Sequence, residues 1–254
     1  MTPTTTLSII VPVYNEQSLV HASLSRLRVL GDSPLLSSIR VIVVDDGSRD
    51  QTPTVLRKFQ QSLEREDWGE KFVWKFVCHP TNFGKGKALR TGLTFADTDL
   101  TVCQDADLEY NPRDLLGMIP LFLEGNVDAV FGSRFHPTVS QPRSLSPHRM
   151  VNGFLTALSN LVSHLNLSDM ETCYKMVRTD LLKSIPLESE DFRIEPELTI
   201  KIAKRGARLL EVPIGYSGRT SQEGKKINWR DGLKALLAIF RFALSDRIDR
   251  NAST

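Results

Sequence analysis

Asp105-Ala106-Asp107-Leu108-Glu109 sets three carboxylates at alternate positions directly after the apolar run Leu100 to Cys103. Carboxylates this close repel one another and raise each other's pKa unless a cation offsets the charge. A hard divalent ion, Mg²⁺ or Mn²⁺, suits them best when it also carries substrate phosphates. Asp45-Asp46-Gly47-Ser48-Arg49-Asp50 is a second polar cluster, in which one carboxylate can accept hydrogen bonds from a base or a ribose. The same string would also make a good turn with a helix cap. Asn82-Phe83-Gly84-Lys85-Gly86-Lys87 is a third, with two glycines and two lysines able to set N–H groups and positive charge near an anion. It is not a Walker A loop, and Leu89 stands where a dinucleotide fingerprint has its last glycine.

These clusters need a scaffold that brings them to one place. Leu7 to Val13, Ile39 to Val44, Phe72 to Cys78, Leu100 to Gln104 and Val127 to Phe131 are short apolar runs that predict strands. Between them, Ser18 to Leu30, a segment opening at Thr52-Pro53, and Lys87 to Ala96 predict helices. Strands without polar alternation suit a parallel sheet covered on both faces. The alternation predicts a doubly wound α/β fold, whose ligands bind at the carboxyl ends of the strands. All three polar clusters fall at such ends.

Beyond Phe131 the rhythm changes. His136 to Pro147 reads as a loop, Arg149 to Leu165 as a helix, and Pro186 to Ile194 as irregular. A helix is expected from Glu195 to Arg205 with Gly206 as its stop, then a strand over Leu209 to Tyr216. Pro213 places that strand at an edge or a bulge. Basic residues in the irregular segments and helix starts (Arg134, Arg143, Arg149, Arg219, Lys225 and Lys226) are candidates for an anionic acceptor. Asp169 to Lys175 mixes carboxylates with core-type residues, an unusual combination for a plain loop. From Trp229 a helix carries Leu233, Leu236, Leu237, Phe240 and Leu244 on one face and Arg230, Lys234 and Arg241 on the other. Such a helix suits either an anionic bilayer surface or docking on the domain's own core or a partner chain.

Composition narrows the classes. The 254 residues include 32 Lys and Arg against 30 Asp and Glu, a balance that argues against a general nucleic-acid binder. Cys78, Cys103 and Cys173 are too few and too far apart for a disulfide scaffold or a zinc site, and read as buried thiols. His21 and His79 read as structural, and the other histidines lack metal-ligand spacing. Neither a secretory leader nor a run of about 20 apolar residues is present, so the expected location is cytoplasmic, at the membrane's cytoplasmic face if the acceptor is a lipid. The metal, the diphosphate sites and the lack of a γ-phosphate motif together point to a nucleotide-sugar.

Five stretches then resemble one family: Val11-Pro12-Val13-Tyr14-Asn15-Glu16, Val44-Asp45-Asp46-Gly47-Ser48, Asn82 through Ala88, Asp105 through Glu109, and Gly132-Ser133-Arg134-Phe135. They resemble family 2 glycosyltransferases, in particular the dolichyl- or polyprenyl-phosphate hexose synthases. The resemblance spans residues 7 to 230 and implies a GT-A fold and an inverting transfer. It divides the chain into a catalytic domain over 1–230, with a nucleotide-binding half (7–110) and an acceptor half (111–230), followed by an amphipathic helix and polar tail over 231–254.

By that likeness Asp107 is the principal metal ligand, with Glu109, often Gln in the family, as helper. Asp105 binds the metal or the ribose and diphosphate. Pro12, Tyr14, Glu16 and Asp45 line the nucleoside pocket, and Asp46 and Lys85 are further nucleotide-binding residues. Arg134 and Arg149 hold an acceptor phosphate, with Asn152 and Asn160 nearby and Arg219 and Lys225 as further basic contacts. The expected reaction moves a hexose from GDP-mannose or UDP-glucose to polyprenyl phosphate. The other readings are a soluble acceptor, a nucleotide-sugar binder without turnover, and a nucleotidyltransferase.

Overall fold

The computed structural model describes residues 3–138, 147–218 and 229–245. Seven strands form one sheet: β1 (Thr5–Val13), β2 (Leu36–Asp45), β3 (Phe72–Cys78), β4 (Leu100–Cys103), β5 (Ala129–Ser133), β6 (Lys175–Arg178) and β7 (Leu209–Pro213). Their order is β3-β2-β1-β4-β6-β5-β7. All neighbours are parallel except β6, which runs antiparallel to both β4 and β5. The carboxyl ends of β1 through β5 therefore share one edge of the sheet. In β2, every residue from Val41 to Asp45 is buried, as two covered faces require.

The helices are α1 (Val20–Arg26), α2 (Thr52–Ser62), α3 (Lys85–Leu93), α4 (Arg113–Leu123), α5 (Pro147–Ser163), α6 (Thr179–Ser184), α7 (Ile194–Lys204) and α8 (Trp229–Ser245). On one face of the sheet Leu24, Leu56, Leu115 and Ile119 pack against Leu7, Ile9, Val41 and Val102. On the other, Ala88, Leu198 and Ile202 cover Ile10, Ile42, Phe131 and Val177. Each fully buried aliphatic side chain contributes roughly 1.5–3 kcal/mol. A third, smaller cluster joins Leu155 of α5, Ile200 of α7 and Ile239 and Phe242 of α8.

Most expected elements are present within a few residues, with β7 at the sheet edge and α7 stopping ahead of Gly206. Leu27–Leu30, expected inside the first helix, is a 3₁₀ turn. Three elements are additional: α4, which carries Pro120 within it, β6, and the short α6 that follows it. Cys103 and Cys173 are buried, but Cys78 is exposed.

Helix α8 departs most from expectation. Ala235, Ala238, Ile239 and Phe242 face the core, whereas Leu233, Leu237, Phe240 and Leu244 are exposed. The helix thus has two apolar faces, and the expected stripe is the outer one apart from Leu236, which packs against the inner cluster. Two of its expected cations are paired, Lys234 with Asp191 at 3.5 Å and Arg241 with Glu188 at 2.7 Å.

Candidate active site

The loops after β1 and β2 are stitched together. Asn15 takes a left-handed φ of 50°, its N–H donates to Ser48 Oγ at 2.9 Å, and its Oδ1 accepts the Arg49 N–H at 2.8 Å. The Glu16 N–H donates to Thr52 Oγ1 at 2.9 Å, and Asp45 Oδ1 accepts the Ser48 N–H at 3.0 Å. Asp45 and Glu16, both buried, therefore belong to two joined loops at the sheet edge, with Pro12 at the end of β1 and Tyr14 directly after it.

Asp46 has a different task from the one expected. Its Oδ1 accepts from His79 Nδ1 at 2.7 Å and the Phe83 N–H at 3.0 Å. Its Oδ2 accepts from Asn82 Nδ2 at 2.9 Å and the Gly84 N–H at 2.7 Å. A carboxylate has about four acceptor sites, so this one is saturated by the protein. Asp46 braces the third loop and is not available to a nucleotide. His79 completes the brace through Nε2 to Thr91 at 3.0 Å, the structural role expected of it.

The glycines of that loop are required by contact. A Cβ at Gly84, whose φ is 99°, would lie 2.4 Å from the Glu190 carbonyl oxygen, and one at Gly86 2.3 Å from that of Ser189. The irregular segment before α7 is thereby clamped over the start of α3. Lys85 then projects to Asp105 at 2.9 Å and Glu195 at 3.1 Å. Burial alone would lower its pKa, but Asp105 foremost and Glu195 with it hold the ammonium well above its ordinary value. Glu195 also pairs with Lys175 at 2.6 Å, so a buried string of alternating charge joins the two halves of the site.

The carboxylate string is itself constrained. Leu108 has a left-handed φ of 64°, a conformation that costs energy in a branched residue and is concentrated at functional sites. Asp107 Oδ1 accepts the Glu109 N–H at 3.1 Å, and Glu109 Oε2 accepts the Tyr216 hydroxyl at 2.6 Å. Among the described residues, the group whose ligand atoms all lie within 4.8 Å is Cys103, Asp105 and Cys173, so the three carboxylates do not converge on one point. Asp105 is turned to Lys85 instead of joining Asp107 and Glu109. Asp107 and Glu109 leave two carboxylates as candidate ligands, the number that commonly holds Mg²⁺ together with substrate phosphates.

Arg134 follows β5 on the same edge. Its Nε and Nη2 each donate to Asp169 at 2.7 Å in a two-pronged pair. Asn152 Nδ2 donates to the same carboxylate at 3.1 Å. Burial would raise the pKa of Asp169, but the guanidinium holds it below the usual carboxylate range. Glu211 fixes this loop by accepting the backbone N–H groups of Ser168 at 2.9 Å and Asp169 at 3.1 Å. The Arg134 guanidinium lies 5.0 Å from the Tyr216 ring and 5.4 Å from Phe135, and Arg149 lies 5.0 Å from Phe135. One aromatic ring thus gathers the two expected acceptor arginines. Asn160 is spent elsewhere, bonding both backbone groups of Leu167. Arg143, Arg219, Lys225 and Lys226 lie outside the described residues.

Sequence reasoning passed over Asp169, Glu195, Glu211 and Tyr216 as individual site residues. Asp169 gave a signal, the odd mixture around it; the others are joined to their partners only by the fold.

Residues 8–185 match the model of glycosyl transferase family 2. The undecaprenyl-phosphate mannosyltransferase of Micrococcus luteus is 28% identical over 251 residues, 94% of each chain. The undecaprenyl-phosphate 4-deoxy-4-formamido-L-arabinose transferase of Edwardsiella ictaluri is 26% identical over 86% of this chain and 62% of its own. In fold, the chain is similar to Mycobacterium tuberculosis glucosyl-3-phosphoglycerate synthase solved with Mn²⁺, UDP and phosphoglyceric acid. The TM-score is 0.69 at 17% identity, over 94% of this chain and 78% of that one. With the matched region running from β1 through α6 and the polar loops meeting at one sheet edge, this chain belongs to glycosyl transferase family 2 and is a glycosyltransferase of the GT-A fold.

Proposed function

We propose that the enzyme transfers a hexose from GDP-mannose or UDP-glucose, with inversion, onto polyprenyl phosphate at the cytoplasmic face of a membrane. The observation that carries this reading is the partly buried Arg134, locked by Asp169 and sharing the Phe135 ring with Arg149. Two guanidinium groups beside the donor carboxylates suit a phosphate acceptor, and two relatives are named for transfer to undecaprenyl phosphate.

Asp45, Glu16, Tyr14 and Pro12 would line the nucleoside pocket. Asp107 and Glu109 would hold Mg²⁺ or Mn²⁺, which supplies positive charge to the departing diphosphate. Lys85 orients Asp105 and keeps a cation beside the diphosphate site. Arg134 and Arg149 place the acceptor oxygen for attack on the anomeric carbon from the side opposite the diphosphate. A phosphate is ionised near neutral pH, so positioning and charge screening suffice and no strong base is needed.

The membrane part rests on α5 and α8, which pack side by side. Met150, Phe154 and Leu161 of α5 and Leu237 and Leu244 of α8 are exposed, with Leu244 at 84%. Arg149 begins that α5 surface, so a lipid lying along it would have its phosphate at the acceptor arginines. No described helix is long and apolar enough to span a bilayer, so contact would be peripheral.

The test crosses GDP-mannose, UDP-glucose, UDP-N-acetylglucosamine and UDP-glucuronic acid with a short-chain polyprenyl phosphate in Mg²⁺ or Mn²⁺. A glycolipid from one donor supports the reading and names the sugar. Donor binding with no lipid product overturns the acceptor assignment.

A further inference from the structure

The backbone from Ile214 to Gly218, just beyond β7, ties the loop after β4 to the end of β5. The Ile214 N–H donates to the Ser133 carbonyl at 3.0 Å, beside Arg134, and the Ser217 N–H donates to the Glu109 carbonyl at 2.9 Å. The Gly215 N–H donates to Asp114 Oδ2 at 2.9 Å, and Tyr216 forms an antiparallel bridge with Tyr110. The Tyr216 ring is enclosed as well. The Tyr110 ring meets it edge-on at 5.4 Å, and a Cβ on Gly218 would lie 2.8 Å from it.

One side chain, so fixed, touches both halves of the site. Its hydroxyl donates to Glu109 Oε2 at 2.6 Å, and the Arg134 guanidinium lies 5.0 Å from its ring centroid. The two contacts use different chemistry. A phenol keeps its proton at neutral pH, so the hydroxyl is a donor that sets which way the Glu109 carboxylate turns. Losing such an outer hydrogen bond to a metal-holding carboxylate commonly costs about 10–100-fold in metal affinity. The ring face attracts a guanidinium through its quadrupole and needs no hydroxyl to do so. With Asp169 gripping Nε and Nη2, the ring helps fix the plane of the Arg134 guanidinium.

We propose that Tyr216 is a positioning residue for both substrates, its hydroxyl aiming Glu109 at the cation that accompanies the donor diphosphate and its ring setting Arg134 for the acceptor phosphate. This rests on the metal and phosphate-acceptor assignments given above.

The experiment separates hydroxyl from ring by comparing wild type, Tyr216→Phe and Tyr216→Leu. Mn²⁺ binding is read from the EPR signal of the free ion, and acceptor KM is measured with a short-chain polyprenyl phosphate at saturating Mn²⁺. Tyr216→Phe should weaken Mn²⁺ binding about tenfold or more, because it deletes only the outer hydrogen bond. Its acceptor KM should stay within about twofold of wild type, since the ring remains. Tyr216→Leu should show the same metal loss and also raise acceptor KM about three- to thirtyfold. In a Glu109→Ala background, Tyr216→Phe should change Mn²⁺ binding by less than about twofold, a result that general loosening of the loop does not produce. Unchanged Mn²⁺ binding in Tyr216→Phe, an equal rise of acceptor KM in the Phe and Leu variants, or a full effect in the Glu109→Ala background overturns the proposal. Wild-type turnover that needs no divalent ion overturns the metal assignment itself, and wild type that makes no lipid-phosphate product overturns the acceptor assignment; each removes the half of this inference built on it.

Discussion

Asp46 separates a structural account of the second loop from a ligand-binding one. Replacing it by alanine leaves His79 Nδ1, Asn82 Nδ2 and the N–H groups of Phe83 and Gly84 without their acceptor. Asp46 is 2% exposed, so water does not simply take its place. Each lost bond costs about 1 kcal/mol net, and more where the orphaned donor stays buried. The exposed parts of Asn82 and Phe83 can rehydrate, which brings the expected total to about 3–4 kcal/mol. That is a large share of a typical 5–15 kcal/mol domain stability and corresponds to roughly 6–16 °C in Tm. Asp46→Asn keeps the shape but turns one arm into a donor facing other donors, so it should lose roughly 2 kcal/mol or more. Urea unfolding measures both, alongside nucleoside-diphosphate binding by calorimetry. Stability within 0.5 kcal/mol of wild type, with donor affinity lost, would refute the bracing role and return Asp46 to the nucleotide pocket.

Other expectations follow from the same geometry. If Asp107 holds the proposed cation, Asp107→Ala should lower metal-dependent turnover by at least 10²-fold, because it would remove a carboxylate from the ion that offsets leaving-group charge; unchanged kcat would discard the metal assignment. Glu171 has a raised native pKa, so the folded state binds more protons than the unfolded one between about pH 4.5 and 7, and stability falls as pH rises through that window. Glu171→Gln should therefore be more stable than wild type at pH 8 relative to pH 5 in paired denaturation curves. Asp169 has the opposite sign: its lowered pKa gives stability present above the ordinary carboxylate range and lost as pH falls through the native value. The penalty of Asp169→Asn, measured by the same method, should shrink toward low pH. Phe154→Glu with Leu237→Glu should reduce binding to anionic vesicles about 10²-fold and leave donor affinity intact, given roughly 1.5–3 kcal/mol per buried large apolar side chain.

The strands from β1 to β5 were legible because each is an apolar run ending in a polar cluster, which local pattern alone can reveal. Strand β6 was not: it has four residues, it starts at Lys175, and that lysine is buried only because Glu195 meets it from α7. Pro120 hid α4 by interrupting an otherwise helical pattern, although its ring sits in an intact helix. The stripe on α8 was visible, but its direction was not, since Ala235, Ala238, Ile239 and Phe242 make an equally apolar opposite face. In the site, residue types and strand ends located Asp45, Asp105 and Arg134. What the carboxylates do depends on long-range partners: four donors claim Asp46, Lys85 claims Asp105, and Tyr216 reaches Glu109 from 107 residues away.

The central claim is that a lipid phosphate oxygen is the nucleophile. The most direct measurement presents the purified enzyme, its preferred nucleotide-sugar and Mn²⁺ with three acceptors in parallel: a short-chain polyprenyl phosphate, the matching polyprenol, and 3-phosphoglycerate. Product mass and released nucleoside diphosphate are read together. The account predicts one glycosyl phosphodiester per nucleoside diphosphate with polyprenyl phosphate, and nothing above donor hydrolysis with the other two. Equal or better transfer to 3-phosphoglycerate, or transfer to the unphosphorylated alcohol, would contradict it.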